Sequence, residues 1–233
     1  MAQKLLCEVM EVQDHGEHVY SVFLQPASPA PRFLAGQFLH LALDPYEPGD
    51  FWPESRVFSI ASPPAQRSLL RITYAVKGNF TSRMEAELRP GREVWIKMPY
   101  GEFIIAGGEV CLLAGGTGMT AFTAFLAGLP ADYPQSIHLF YGARRPDLLI
   151  YRSLVEEAAE RCPRLHPTFT AEQDPGATCL PGRLSPPLVM DTLPDPFALT
   201  YYLAGPPAML DVFTRDLHQR GVDANCMRVD AWE

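Results

Sequence analysis

The feature that most constrains this chain is a change in its hydrophobic pattern near Glu109. The first 110 or so residues carry short runs of β-formers broken by Pro and Gly, whereas the remainder alternates apolar strands with helical stretches. Short strands on tight turns pair antiparallel, while alternation of strand and helix gives a parallel sheet covered on both faces. The chain therefore reads as two domains, residues 1–103 and 104–233, with the boundary in the glycine-containing stretch from Tyr100 to Gly108.

In the first domain the strands are expected at Leu5–Val12, His18–Pro26, Gln37–Leu43, Val57–Ala61, Leu69–Ala75 and Glu93–Met98. Six short strands of this kind suggest a small antiparallel barrel, because closure removes exposed edges. One helix interrupts them: Thr81 or Ser82 caps the segment SRMEAEL, Ser82 and Glu85 stand at capping-box spacing, and Pro90-Gly91 ends it. The amides at that helix start suit an anion. In the second domain EVCLLAGG is an apolar strand, GMTAFTAFLAGL a helix and SIHLFYGAR a strand. LLIYRSLVEEAAERC follows as a helix with Leu148, Tyr151, Leu154, Val155 and Ala158 on roughly one side. After it come LHPTFTAE, a helix around Pro187–Thr192, the strand LTYYLAG and the helix AMLDVFTRDLHQRG.

Composition excludes several function classes. A formal charge of −8, from 19 Lys plus Arg against 27 Asp plus Glu, disfavours a nucleic-acid backbone or an anionic membrane as partner. The five cysteines, Cys7, Cys111, Cys162, Cys179 and Cys226, form no CxxC pair, which fits a reducing, cytoplasmic compartment. Lys4, Glu8 and Glu11 interrupt the N-terminus, so neither a secretory leader nor a membrane span is expected there. The six histidines lack metal-ligand spacing, and no metal is expected; His40 and His138 read as core imidazoles. There is no GxSxG elbow and no Walker lysine.

Four segments carry chemistry. In Arg56-Val57-Phe58-Ser59 two readings stand: an ordinary barrel strand with Arg56 in solvent, or an arginine fork on a phosphate, Phe58 packed on a flat ring and the Ser59 hydroxyl at the ring edge that receives hydride. Tyr74 to Ser82 is a strand, a turn at Gly78 and the helix start, either a structural turn or a second phosphate site. Gly115-Gly116-Thr117-Gly118 lies between an apolar strand and a helix, the topological place for a pyrophosphate, although it compresses the usual GxGxxG pattern. Leu203-Ala204-Gly205-Pro206-Pro207-Ala208-Met209 ends the last clear strand, where open α/β sheets place ligands, and also serves as a plain strand-to-helix connection.

The four segments, in this order and spacing, resemble the ferredoxin-NADP reductase superfamily, in particular its short bacterial NAD(P)H:flavin oxidoreductases and oxygenase reductase components. The resemblance spans nearly the whole chain. It implies a flavin-binding barrel followed by a nicotinamide-binding domain, with FAD as the flavin and FMN the alternative. Arg56, Phe58 and Ser59 would line the flavin, Ser59 being the catalytic residue beside its reacting nitrogen. Tyr74 and Val76 would give backbone contacts, and Gly78, Thr81 and Ser82 would surround the pyrophosphate. Gly116, Thr117 and Gly118 would cradle the nicotinamide dinucleotide, with Gly142, Arg144, Gly205, Pro206 and Met209 along its path and Trp232 over the flavin or in a surface tail.

Departures from the family pattern sharpen these expectations. Phe58 stands where many relatives have Tyr, and Ala204 where many have Cys, the latter leaning toward the short flavin reductases. NADPH users tend to place Ser and Arg after the third strand of this domain; here Glu172 stands there and favours NADH, with Arg144, Arg145 and Arg183 as cations able to offset it. The expected activity is hydride transfer from NADH, or NADPH, to flavin and onward to free flavin or a small acceptor. The alternatives are a component feeding a separate ferredoxin or oxygenase, and a silent nucleotide-binding regulatory subunit.

Overall fold

The structure, a computed structural model, describes residues 2–230. The chain divides into two compact units, Met1–Ile104 and Ile105–Glu233.

The first unit is a six-stranded antiparallel sheet built from β1 (Gln3–Asp14), β2 (Val19–Pro26), β3 (Phe38–Ala42), β4 (Ser55–Ser59), β5 (Leu70–Ala75) and β6 (Glu93–Tyr100), in the order β4-β3-β6-β1-β2-β5. Alternation explains its curl: Leu5, Cys7 and Val9 of β1 and Leu39 and Leu41 of β3 point into one core while their neighbours face outward. The edges β4 and β5 nearly close the sheet into a barrel. Just past β4 the amide of Ala61 donates to the carbonyl of Arg71 at 2.8 Å, and the amide of Arg71 donates to Ser62 Oγ at 3.2 Å. Helix α1 (Asn79–Glu87) drops Phe80 and Met84 into the same core and so plugs the barrel.

That helix corrects the expected cap. It begins at Asn79, ahead of Thr81 and Ser82, and Glu85 takes no part in capping. Thr81 instead fastens the entry: its Oγ1 accepts the amides of Lys77 at 2.9 Å and Gly78 at 3.1 Å, and donates to the Gly78 carbonyl. The i, i+4 pair Phe80 and Met84 must face the core, and this burial fixes the helix start more strongly than the spacing of Ser82 and Glu85.

The second unit is a six-stranded parallel sheet of β7 (Val110–Gly115), β8 (Ile137–Ala143), β9 (Leu165–Ala171), β10 (Leu180–Pro181), β11 (Thr200–Ala204) and β12 (Met227–Asp230), in the order β10-β9-β8-β7-β11-β12. Its helices are α2 (Thr120–Ala127), α3 (Arg152–Arg161), α4 (Pro186–Thr192) and α5 (Pro207–Gln219). Every residue of β7 is buried: Cys111 and Leu113 share a core with Val189 of α4 and Phe213 of α5, and alternation turns Leu112 to the other, equally covered face. The short strands β10 and β12 were not anticipated from the sequence. Among the described residues no helix is long and apolar enough to cross a membrane.

Candidate functional site

In the barrel the residues of interest gather along its β4 and β5 edges. Strand β4 pairs with β3 so that Phe58 lies opposite Leu39 and Ser59 opposite Phe38. Phe58 packs against the barrel core and meets the Tyr74 ring edge-on at 6.2 Å. Alternation turns Ser59 to the opposite side of the strand, the side of Phe38 and Tyr100, which stack at 5.8 Å outside that core. Phe58 and Ser59 thus flank the free edge of β4 rather than sharing one face.

Arg56 is exposed. Its guanidinium lies 5.1 Å from the Phe80 ring at the start of α1 and bonds Glu54 at 2.8 Å, both partners being more than half exposed. An exposed pair of this kind is worth little, so the fork is available to a stronger anion. Around Phe80, the first amides of α1 have no acceptor within the helix itself. Ser82 is exposed on the helix and Thr81 is committed to the Gly78 turn, so the turn is held shut by the chain's own bonds. Val76 follows β5, and its amide is already spent on the carbonyl of His18 at 2.9 Å.

Sequence reasoning assigned Tyr74 only a backbone role, and its side chain is the more telling part. Tyr74 is buried, stacks on Tyr20 at 5.6 Å, and its hydroxyl has no hydrogen-bond partner. Burial, with Tyr20 and Glu85 nearby, pushes that hydroxyl above the ordinary tyrosine range, so it stays a protonated donor. A buried donor without an acceptor is rare and calls for a partner. A phosphate or ring oxygen of a flavin would supply such an acceptor, and Arg56, Phe58 and the α1 amides nearby are residues that fit that group.

In the parallel sheet the strand order identifies the site. Chain progression runs from β7 to β8, β9 and β10 on one side, then returns to β11 on the other, so the crevice at the carboxyl ends of β7 and β11 is the topological switch point, where such sheets hold ligands. The loops there carry Gly115 to Gly118 and Gly205 to Met209. Gly118 is buried against the other loop: a Cβ on it would lie 2.4 Å from the Ala204 carbonyl oxygen. Gly116 differs, with a φ of +53° and open space where its side chain would be. Of the three residues expected to cradle a dinucleotide, Gly118 therefore packs the loops together, Gly116 leaves room, and Thr117 is half-buried with its carbonyl accepting from Thr120. Pro206 caps the start of α5 and is exposed; the Met209 sulfur reaches toward Gly115 and Gly205.

Gly142 at the end of β8 abuts Thr170 of β9, whose buried hydroxyl is the other orphan of the structure among the described residues. No sequence signal marked it. Arg144 is exposed beyond β8, and Arg145 pairs with Asp147. Glu172, just past β9, accepts from Arg183 at 2.8 Å. Trp232 lies outside the described residues. His40 sits edge-on to Tyr100 at 5.0 Å and His138 beside His166 at 5.2 Å; among the described residues no three His, Cys, Asp or Glu side chains are grouped to hold a metal.

A barrel with an exposed arginine beside a helix start at its edge, followed by a parallel sheet with a glycine-lined switch point, is the arrangement that the sequence resemblance implies. Comparison with known proteins agrees. Residues 112–215 match the oxidoreductase NAD-binding domain. The reductase component of phenol 2-monooxygenase from Pseudomonas sp. (strain CF600) is 30% identical over 205 residues, covering 80% of this chain and 54% of that protein. The reductase component of propane 2-monooxygenase from Rhodococcus jostii is 29% identical over 241 residues, covering 94% and 61%. A ferredoxin NADP+ reductase from Neisseria gonorrhoeae, solved with FAD and NADP bound, superposes with a TM-score of 0.79 over 99% of both chains at 18% identity. The chain thus carries an oxidoreductase NAD-binding domain and is similar along most of its length to reductase components, in line with the resemblance to the ferredoxin-NADP reductase superfamily. It spans between half and two thirds of the length of these two curated relatives.

Proposed function

We propose that this chain is an NAD(P)H-dependent flavin reductase module that feeds electrons to a separate protein acceptor, an oxygenase or a ferredoxin. The observation that carries the reading is that one alignment to an oxygenase reductase component takes in 94% of the chain, barrel and parallel sheet together. That favours the protein-acceptor route over reduction of free flavin, which the sequence reading put first.

A flavin held here would supply the redox chemistry, linking a two-electron hydride donor to a one-electron acceptor. The protein's part is to bind and orient. Arg56 and the first amides of α1 hold phosphate, the Tyr74 hydroxyl donates to the cofactor, Phe58 packs on the flat ring, and Ser59 holds a donor at the ring edge where hydride arrives. At the switch point the open space at Gly116 and the Thr117 segment take the nicotinamide dinucleotide, with Gly142, Arg144, Gly205, Pro206 and Met209 along its length. FAD fits better than FMN because the α1 start offers a second anion site beside Arg56. NADH fits better than NADPH because Glu172, just past β9, already neutralises Arg183, a cation otherwise open to a 2′-phosphate.

The test is the visible spectrum of protein reconstituted with FAD, followed under anaerobic conditions on adding NADH or NADPH separately. A yellow protein bleached faster by NADH, which then reduces an added oxidised ferredoxin, is the expected result. A colourless protein with no NADH-dependent absorbance change overturns the proposal.

A further inference from the structure

The turn between β1 and β2 is fastened to the helix entry in a way the barrel core does not require. Glu17 and His18 both adopt left-handed backbone angles, with φ of 49° and 60°, and neither is glycine. Such conformations persist only where surrounding contacts hold them, and they cluster where geometry serves function. Here the contacts are specific. The His18 carbonyl accepts the amide of Val76, just past β5. The His18 Nδ1 lies 2.7 Å from Glu85 Oε1 on α1, and the Tyr20 hydroxyl donates to that same oxygen at 2.8 Å. The turn therefore grips the Lys77–Gly78 segment on both sides, through Val76 before it and Glu85 after it. Tyr20 also stacks on Tyr74, the bearer of the orphaned hydroxyl.

We infer that Glu85 is a positioning residue for the loop that sets the start of α1, whose first amides hold phosphate on the proposed function, and that the His18–Glu85 contact makes the hold on flavin pH-dependent. The inference rests on the flavin reading above and adds a residue and a regulation to it. The groups acting on His18 are Glu85 on α1 and Asp14 at the end of β1, both acidic, with Tyr20 beside them on β2 and Lys77 in the adjoining loop. The hydrogen bond and charge of Glu85 raise the His18 pKa and, reciprocally, His18 and Tyr20 lower that of Glu85. A group whose folded pKa is raised lends its interaction while protonated and loses it as pH rises through that value. The loop is thus held more firmly at low pH, and flavin binding weakens as pH increases.

The experiment is titration of flavin-free protein with FAD across about pH 5 to 8, for wild type, His18→Asn and Glu85→Gln. Asparagine tolerates the left-handed backbone, and glutamine keeps an acceptor for Tyr20, so both variants keep the fold. Wild type is expected to lose roughly threefold in affinity over this range, the scale of an exposed ion pair, whereas both variants give a flat profile near the wild-type high-pH value. Hydride transfer from NADH at saturating FAD stays unchanged in both, which separates loop positioning from chemistry. If wild type shows no pH step, or the step survives in the variants, the inference is overturned while the flavin reading stands. If wild type binds no FAD at any pH, the flavin reading itself fails, and this inference with it.

Discussion

Replacing Tyr74 by phenylalanine should move two measurements in opposite directions. The ring is 3% exposed, stacked on Tyr20 and edge-on to Phe58, and its hydroxyl oxygen has no partner. An unsatisfied buried hydroxyl costs about 1–3 kcal/mol, so removing the oxygen while keeping the ring should stabilise the flavin-free protein by about 1 kcal/mol. On the proposed function the same hydroxyl would donate to a flavin oxygen, and a bond to a charged phosphate is worth about 1.5–3 kcal/mol. Its loss weakens FAD binding by roughly 10- to 100-fold. Urea unfolding of the flavin-free protein, followed by the fluorescence of Trp52 and Trp95 in the barrel, gives the first quantity. FAD titration gives the second. A variant that is less stable without flavin yet binds FAD as wild type does would show that the hydroxyl serves an internal partner, and would refute the reasoning from orphaned donors.

Ser59→Ala removes a hydrogen bond expected only at the reacting centre, so stopped-flow reduction by NADH should slow about tenfold, the worth of one such bond, with FAD affinity nearly unchanged; equal reduction rates refute the role. Gly118→Ala would bring a methyl within 2.4 Å of the Ala204 carbonyl oxygen, against backbone that has no side chain to move aside. It should cost about 1–3 kcal/mol of stability and raise the KM for NADH without loss of yellow colour, and wild-type thermal stability would count against the packing role. Glu172→Ala frees Arg183 from its partner, and the ratio of kcat/KM for NADPH over NADH should rise roughly threefold or more, discounted for solvent exposure; an unchanged ratio places the 2′-phosphate elsewhere.

Much of this architecture was legible because it rests on local patterns. The six barrel strands fall within about two residues of where alternation and Pro or Gly turns put them, and β7, β8, β9 and β11 where apolar runs lead into glycine or helix. What escaped was short or non-local. Strands β10 and β12, of two and four residues, carry no periodicity to read. Leu70, Ile72 and Tyr74 plainly alternate inward, yet nothing in the sequence says that the tyrosine oxygen arrives in the core without an acceptor, since that depends on what β2 sets against it. The glycine cluster teaches the same lesson more sharply. A glycine shows only that a side chain is unwelcome, and not whether chain or ligand takes the room. Gly118 gives its room to the Ala204 backbone, while Gly116, two residues away, leaves its own open. The strand order that sets β11 beside β7 decides between them, because it brings the second loop against one glycine and not the other. Any nucleotide role for the cluster therefore passes through Gly116 and the Thr117 segment, while Gly118 contributes by keeping the two loops in contact.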